Sequence, residues 1–203
     1  MHLSAGSRLA RGILIALVSL GATAPIAAAD KPAATKTQGC QDRLLTHVFA
    51  PWNDKALYTL APGGDFETQA AGWALEGGAV AADSSPFLLG PALGAASLEL
   101  PAGASAVTPP ICVERGFPGF RFLARSVAAD GVLRVEVLYG TGRTKKAGRF
   151  TPAAEWAPTR KVSLAQGRFR VRRGESAQVQ LRFVATAGTV RVDDVYVDPR
   201  FRR

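Results

Sequence analysis

The chain is poor in the residues that most often catalyse reactions or bind transition metals, with two histidines, two cysteines and one methionine among 203 residues. Its 47% hydrophobic content, with 25 Lys and Arg against 16 Asp and Glu, is typical of a folded protein rather than a disordered one. Its 21 Gly and 13 Pro follow no fixed period, which excludes a collagen-like chain. No apolar run reaches the roughly 18 residues that a transmembrane helix needs.

The first 29 residues have the pattern of a secretory signal peptide. Arg8 and Arg11 precede the apolar residues 13–20, and the alanines at 27–29 offer the small side chains that a cleavage site requires. An uncleaved anchor is the alternative, but the apolar run has the length of a signal peptide. We therefore expect a secreted protein, extracellular or in the cell envelope, without a transmembrane anchor.

The exported chain remains basic. Residues 1–29 contain two Arg and no acid, so their removal leaves 23 basic and 16 acidic residues and a net charge of +7. This balance favours polysaccharide or anionic glycan partners through long-range attraction. Gly63-Gly64 is followed by Asp and Phe rather than by the Lys-Ser or Lys-Thr of a phosphate-binding loop, and we expect no nucleic acid partner.

Residues 30–39 are rich in Lys, Ala and Thr and predict a flexible leader, followed by a single domain over residues 40–203. Cys40 and Cys112 are the only cysteines, and in an exported chain the simplest expectation is one disulfide between them. Two free thiols are the alternative. Neither cysteine has the neighbouring cysteine or histidines of a zinc site.

One short helix is predicted over residues 41–49, where Leu44, Leu45, Val48 and Phe49 have helical spacing before Pro51. The rest is cut by Gly and Pro into short segments in which apolar and polar residues alternate, as in strands. Eight to ten strands are expected, and eight segments are the best candidates: 96–100, 104–108, 120–125, 133–139, 162–164, 168–172, 178–183 and 189–197. Many short strands without intervening helices predict an all-β antiparallel sandwich or barrel. Residues 140–148 are expected to form a hairpin loop with three positive charges.

Catalytic motifs are weak. After signal-peptide removal His47 is the only histidine, and no Ser lies in a Gly-x-Ser-x-Gly nucleophile pattern. We therefore expect a protein that is not an enzyme. A hydrolase that uses scattered carboxylates such as Glu67 and Asp194 is a lesser alternative.

Two distant segments carry the most specific pattern: Gly63-Gly-Asp-Phe-Glu67 followed by Gly72-Trp73, and Val192-Asp-Asp-Val-Tyr-Val-Asp198. Together with Ser97-Leu-Glu-Leu100 they resemble the jelly-roll carbohydrate-binding modules of the galactose-binding-like superfamily. The chain is also similar to a group of uncharacterised exported bacterial proteins. The resemblance implies a jelly-roll sandwich in which the opening and closing strands are neighbours. It also implies that Trp73 packs in the core.

A structural calcium ion is a further implication of the resemblance. Glu67, Asp193 and Asp194 are at the positions of its acidic ligands, and Asp65 could add another oxygen. The alternative is that one of the two adjacent aspartates accepts backbone hydrogen bonds in a turn and the other pairs with an arginine.

The predicted ligand-binding residues are Arg125, Arg134, Gln180, Arg182 and Trp156. If the apolar positions of their strands face inward, the four polar side chains should form one outward, Arg-rich sheet face suited to hydroxyl-rich or carboxylated ligands. Trp156 is the best candidate for an exposed aromatic platform, or alternatively plugs the edge of the sandwich. The expected function is a non-catalytic polysaccharide-binding or cell-wall-binding module. An envelope protein–protein interaction or structural domain is the alternative.

Overall fold

The computed structural model describes residues 40, 43–114, 117, 119–128, 130–164, 171 and 175–198. The expected signal peptide, the leader and the strand at 168–172 fall outside these residues, apart from Val171. Within them, the chain forms short strands and a single 3-10 turn, Ala50–Trp52.

Thirteen strands alternate with turns in the described part of the chain: β1 (Thr59–Leu60), β2 (Ala74–Glu76), β3 (Ala79–Ala81), β4 (Ser97–Leu100), β5 (Ser105–Val107), β6 (Ile111–Glu114), β7 (Gly119–Ser126), β8 (Val132–Tyr139), β9 (Thr144–Phe150), β10 (Ala157–Pro158), β11 (Val162–Ser163), β12 (Ser176–Ala187) and β13 (Val190–Asp198).

The strands form two antiparallel sheets. The seven-stranded sheet has the order β10-β7-β13-β4-β3, with β1 also pairing with β13 and β11 with β7. The six-stranded sheet has the order β2-β5-β12-β8-β9, with β6 also pairing with β12. Most neighbouring strands come from distant parts of the sequence, and only the pairs β3–β4 and β8–β9 are consecutive among the described strands, which is the topology of a jelly roll. The all-β sandwich predicted from the alternating segments is confirmed.

The main core lies between the sheets, where the apolar positions of the alternating strands meet. Phe120 and Phe122 on β7 and Leu181 and Phe183 on β12 are fully buried. The rings of Phe122 and Phe183 cross edge to face with centroids 5.3 Å apart. Since β7 and β12 belong to different sheets, this contact shows that the two inner faces pack directly against each other.

The opening and closing segments of the domain meet, as the resemblance implied. The amide of Ala61 donates to the carbonyl of Val195, and the amide of Val195 donates to the carbonyl of Gly64. The Gly63–Glu67 segment is, however, a series of turns rather than the strand that the resemblance implied. Phe66 adopts a φ of 59° there and is fully buried. The short strand β1 makes the pairing with β13 instead.

Trp73 packs in the core, as implied by the resemblance. Its ring lies 4.8 Å from that of Phe66 and 5.9 Å from that of Phe183, measured between centroids. Its indole N–H donates to the carbonyl of Pro62 at 3.0 Å. The turn segment is thus fastened to the end of the sandwich by both an aromatic contact and a hydrogen bond.

The helix predicted over residues 41–49 is wrong in its described part. Residues 43–49 are not helical, and Thr46 forms a β-bridge with Tyr58, each amide donating to the other's carbonyl at 2.9 Å. The helical element is reduced to the 3-10 turn at Ala50–Trp52. Of the apolar side chains that suggested a helix face, Val48 and Phe49 pack against the sheet in a second hydrophobic cluster, whereas Leu44 is 80% exposed.

This second cluster lies on the outer face of the seven-stranded sheet. Leu123 and Tyr196 point outward from β7 and β13 and pack with Val48, Phe49 and Tyr58. Further apolar side chains pack around them: Trp52, Ala56, Leu60, Phe87, Leu89 and Trp156. The segment before β1 and the loop after β3 therefore cover much of this face.

The predicted disulfide is confirmed. Cys40 is bonded to Cys112 on β6, with Cα atoms 5.7 Å apart and a sequence separation of 72. The backbone amide of Cys40 donates to the carboxylate of Glu114 at 2.7 Å, and the Arg43 guanidinium donates to the carbonyl of Cys112. The start of the domain is thereby fixed to an edge of the six-stranded sheet.

Among the described residues, none of the helical segments has both the length and the apolar character that crossing a membrane would demand.

Candidate binding faces and an acidic cluster

A bulge in the last strand creates an acidic cluster. The register between β13 and β7 shifts between Asp193 and Tyr196, and Asp194 adopts a left-handed φ of 52°. A bulge turns the strand, so Val195 reaches the inner core while Tyr196 joins the outer cluster. The two aspartates that precede them are held against the loop after β3.

The carboxylates of the cluster accept hydrogen bonds from that loop. Asp193 accepts from the amide of Ser85 at 2.8 Å, and Asp194 accepts from the Ser85 hydroxyl at 3.0 Å. The Oε1 atom of Glu67 accepts from the amides of Ala95 and Ala96 at 2.8 and 3.0 Å. The predicted alternative of backbone hydrogen bonds is therefore present. In the part of the chain that the structure describes, no Lys or Arg forms an ion pair with these three acids or with Asp65.

Burial and mutual repulsion disfavour the charged forms of the two aspartates. Burial, followed by the nearby charge of Asp194, raises the pKa of Asp193 to about 8. Burial, together with the charges of Asp65 and Glu67, raises the pKa of Asp194 to about 6. Asp193 is only 2% exposed, so solvent does little to relieve the repulsion.

The donor chemistry of this cluster fits a hard divalent cation such as calcium, because every side-chain donor is a carboxylate oxygen. The charge of Glu67 helps to raise the pKa of both Asp193 and Asp194, so the three carboxylates interact with one another. The resemblance implies such proximity for calcium ligands. Across the described ranges, however, no three His, Cys, Asp or Glu side chains converge closely enough to hold a metal ion. Backbone carbonyls or a small rearrangement of the carboxylates would have to complete the coordination.

The predicted ligand-binding residues do not share one surface, which corrects the expectation of a single Arg-rich face. Arg125 is on β7 of the seven-stranded sheet, and Trp156 lies beside it just before β10. Arg134, Gln180 and Arg182 are on β8 and β12 of the six-stranded sheet. Each strand alternates as predicted, but β7 pairs into one sheet while β8 and β12 pair into the other, so their outer faces look in opposite directions.

Arg125 is engaged in an ion network on the seven-stranded sheet. Its guanidinium donates to Asp83 at 2.7 Å and lies 5.7 Å from the centroid of the Trp156 ring. Arg191 also pairs with Asp83 and reaches Glu99 at 2.6 Å. Trp156 itself is half-buried against the second hydrophobic cluster. This geometry agrees with the alternative in which Trp156 closes an edge of the sandwich.

Arg121 on the same face is covered completely. It is 8% exposed and pairs with Asp54 at 2.7 Å, while its Nε donates to the carbonyl of Thr159 at 2.8 Å. Its guanidinium also lies 4.5 Å from the centroid of the Phe49 ring. Arg121 therefore fixes the segment before β1 to the sheet, and its burial leaves little of it accessible to a ligand.

The outer face of the six-stranded sheet is polar and accessible. The Arg134 and Arg182 side chains are 37% and 41% exposed, and both pair with Glu136, at 3.0 and 3.8 Å. Gln180 lies on the same side of β12 as Arg182 and donates to the carbonyl of Thr108 at 2.8 Å. Three of the five predicted ligand-binding residues thus share this face.

Two more cations belong to this face: Arg149, which the sequence did not single out, and Lys146, which was predicted to lie in a charged loop. Residues 140–148 were predicted to be a loop, but Thr144–Phe150 forms β9 and pairs with β8. In that pairing Lys146 lies opposite Glu136 and Arg149 lies opposite Arg134. A register shift between these two pairs breaks the simple alternation of β9, which is why the segment lacks a clear strand pattern.

His47 is exposed and lies in the covering segment, on the seven-stranded side. In the acidic cluster, Asp193 is 2% exposed, whereas Asp194 is half-buried and Glu67 is exposed.

No protein-family model matches the chain, and its sequence matches no curated protein. The fold is similar to solved carbohydrate-binding modules. The CBM22-1 xylan-binding domain of Xyn10C from Paenibacillus barcinonensis is 12% identical, with a TM-score of 0.50 over 81% of this chain and 100% of that domain.

Two further modules are similar at lower scores. TmCBM61, solved with β-1,4-galactotriose, is 16% identical with a TM-score of 0.42, over 70% of this chain and 98% of that one. The C-terminal CBM6 of LamC, a laminarinase from Zobellia galactanivorans, is 13% identical with a TM-score of 0.43, over 64% and 95%. The chain therefore has structural neighbours among carbohydrate-binding modules, and it shares their jelly-roll fold.

Proposed function

We propose that this protein is a secreted, non-catalytic module that binds polysaccharide or cell-wall glycan through the outer face of its six-stranded sheet. The observation that carries the proposal is the contrast between the two outer faces. The seven-stranded face is covered by the segment before β1, with Arg121 buried beneath it. On the six-stranded face Arg134 and Arg182 stay 37% and 41% exposed.

The fold supports this proposal, because the solved xylan-binding domain has the same architecture over its whole length. The side chains of the face support it as well. Guanidinium and amide groups on neighbouring strands donate hydrogen bonds in fixed directions, which suits the hydroxyl and carboxyl groups of sugars. The disulfide of Cys40 and Cys112 supports export, since such bonds persist in oxidising compartments.

Binding to insoluble polysaccharides and to a glycan array tests the function. The purified chain should be retained by at least one polysaccharide, and an Arg134→Gln/Arg182→Gln variant should be retained less. An Arg125→Gln variant is the matched control, because this arginine lies on the opposite sheet. A complete absence of retention on all polysaccharides and glycans would refute the proposal.

The non-catalytic part of the proposal has a separate test. Chromogenic glycosides and esters should be turned over no faster than by an Asp194→Asn variant. Turnover that disappears in this variant, with its fold intact, would instead establish the hydrolase alternative.

A protein–protein interaction in the cell envelope is the second candidate function. The loop between β3 and β4 favours it, because Leu88 and Leu93 are each 62% exposed there. Large apolar side chains exposed in a loop are more typical of a protein contact than of a sugar contact. A partner captured from envelope extracts in excess competing sugar, and lost with Leu88→Ser/Leu93→Ser, would favour this function.

We also propose that a calcium ion stabilises the acidic cluster of Glu67, Asp193 and Asp194. A divalent cation would offset the repulsion that raises the pKa of both aspartates. Thermal unfolding at pH 8 should show a higher midpoint with calcium than with chelator, and Asp194→Asn should reduce the difference. An unchanged midpoint would refute the proposal that calcium stabilises the cluster.

A further inference from the structure

In the part of the chain that the structure describes, the outer face of the six-stranded sheet carries more cationic side chains than its own carboxylate can neutralise. Four cationic side chains surround one carboxylate: Arg134, Lys146, Arg149 and Arg182 around Glu136. Three positive charges therefore remain without a partner within this group. We call these five residues the cationic face.

The strand register places these charges on adjacent strands. Arg182 on β12 lies opposite Glu136 on β8, and Glu136 lies opposite Lys146 on β9. Arg134 and Arg149 form the next directly opposed pair on β8 and β9. Since neighbouring strands are about 4.8 Å apart, the cations extend over about 10 Å across three strands.

The pair of Arg134 and Arg149 is unfavourable for folding. Like charges directly opposite each other on antiparallel strands destabilise a sheet, whereas opposite charges stabilise it. The other carboxylates on the strands of this sheet, Glu76 and Glu114, lie on β2 and β6, and each has its own hydrogen-bond partner in Ser105 or Cys40. A bound anion would relieve the repulsion that the sheet leaves in place.

The face lacks the side chains that recognise flat ligands. At the described outward positions of β8, β9 and β12, the residues are charged, amide, hydroxyl or aliphatic, and the aromatic residues of these strands, Tyr139, Phe150 and Phe183, are buried. Proteins bind single-stranded nucleic acids by stacking the bases on aromatic rings, and the described outward positions of these three strands carry none. Guanidinium groups instead bind carboxylates and other oxyanions through paired hydrogen bonds.

From this arrangement, and resting on the proposed glycan-binding function, we propose that the cationic face binds an anionic polysaccharide, in which carboxylate or sulfate groups repeat along the chain. The acid groups of such a polymer contact Arg134, Arg149 and Arg182, while its hydroxyl groups lie toward Gln180. The charge excess selects an acidic polymer over the neutral polysaccharides that the same fold accommodates elsewhere.

Affinity measurements on the full secreted chain with four soluble probes test the inference: polygalacturonate, dextran sulfate, neutral xylan and a single-stranded DNA oligonucleotide. One or both acidic polysaccharides should bind at least about tenfold more tightly than xylan, and more tightly than the DNA at equal charge. The preference should shrink as the salt concentration rises from 50 to 300 mM, because exposed charges are screened. Tighter binding to polygalacturonate indicates recognition of carboxylate groups, and tighter binding to dextran sulfate indicates recognition of sulfate groups.

Four variants connect the affinity to this face. Arg134→Gln/Arg149→Gln should weaken binding about tenfold. Arg149→Gln alone keeps the ion pair of Arg134 with Glu136 and removes the opposed like charge, so it should weaken binding while leaving the melting temperature unchanged or higher. Lys55→Gln/Arg125→Gln removes the same charge on the seven-stranded side and should leave affinity near that of the wild type. Glu136→Gln adds positive charge and should strengthen acidic polysaccharide binding, whereas a purely structural role would weaken it.

The outcomes separate the inference from the function on which it rests. Tight binding to xylan without preference for the acidic polymers overturns the inference and leaves the glycan-binding function standing. Binding to none of the polysaccharides overturns both. Equal binding to DNA and acidic polysaccharide, or equal losses in the two double variants, indicates general attraction to polyanions and also overturns the inference.

Discussion

Replacing Arg121 with Met should loosen the segment that covers the seven-stranded sheet. The substitution keeps most of the side-chain length but removes the ion pair with Asp54 at 2.7 Å, the hydrogen bond to Thr159 and the cation above the Phe49 ring. Because Arg121 is 8% exposed, water cannot replace these interactions without opening the segment.

The size of the stability loss depends on the hydrogen bonds that Asp54 keeps after Arg121 is replaced. Breaking a buried ion pair by removing one partner costs about 3–5 kcal/mol, since the remaining charge is left in a poorly solvated site. Asp54 keeps the hydroxyl of Tyr58 at 2.6 Å and the amide of Ala56 at 3.1 Å, and its side chain is 19% exposed. We therefore expect a loss of about 2–4 kcal/mol in the free energy of unfolding.

Urea denaturation of a double-mutant cycle measures this loss. Arg121→Met and Asp54→Asn should be less than additive, with a coupling of about 1–2 kcal/mol, because each removes the same ion pair. Arg125→Met is the matched control on the same strand, and it should cost under about 1 kcal/mol because its half-exposed pairing partner, Asp83, keeps Arg191. Equal costs at the two arginines, or strict additivity, would refute the reasoning.

Asp54 also predicts a pH dependence of the same segment. Burial raises its pKa, but hydrogen bonds from Tyr58, Ala56 and Arg121 outweigh this, and the net shift is downward. A lowered pKa in the folded state contributes stability above the unfolded-state value, near 4, and loses it as the pH falls through the folded-state value. The wild type should therefore lose more stability than Asp54→Asn between pH 5 and pH 3, and parallel curves for the two proteins would contradict this.

Three further predictions concern the rest of the fold. A Cys40→Ser/Cys112→Ser protein should lose about 4 kcal/mol of unfolding free energy, because the disulfide joins residues 72 positions apart and restricts the unfolded chain. An unchanged midpoint of urea denaturation would contradict this prediction. Gly64→Ala should cost about 1–3 kcal/mol in thermal unfolding, since its Cβ would lie 2.8 Å from a backbone carbonyl oxygen of β13. Gly90→Ala should be nearly neutral, because its Cβ would make only an ordinary contact, 3.8 Å from the carbonyl oxygen of Ala92. Similar costs at both glycines would be inconsistent with this reasoning. In the presence of chelator, the free energy of unfolding should fall as the pH rises from 5 to 8. The folded-state pKa of Asp193 is about 8, so the folded protein binds this proton more tightly than the unfolded chain does. A flat pH profile would contradict the repulsion between the buried Asp193 and Asp194.

Local patterns were reliable where a strand has one buried face. The alternation in residues 133–139 and 178–183 predicted both the strands and their inward residues, because the period of two is set by the backbone itself. The rule of two failed at β9, where a register shift interrupts the period. Helical spacing failed at residues 43–49, where Val48 and Phe49 pack onto a sheet while Leu44 is exposed. Propensity and spacing describe a segment alone, whereas its partner decides which conformation buries more apolar surface.

For the candidate site as well, the local pattern was reliable but the pairing of strands was not predicted. The sequence identified Arg134, Gln180 and Arg182 as outward and polar, but it grouped them with Arg125 because alternation does not reveal to which sheet a strand belongs. Lys146 joined the site only through the pairing of β9 with β8.

The order of residues alone determined the all-β class, the disulfide partners and the inward positions of the long strands, since each depends on backbone periodicity or on a count of two cysteines. Only the tertiary structure decided which outer face is covered and which remains open. That outcome depends on strand pairing between distant segments and on the burial of Phe49 and Tyr58 against one sheet, and neither is encoded in the spacing of neighbouring residues.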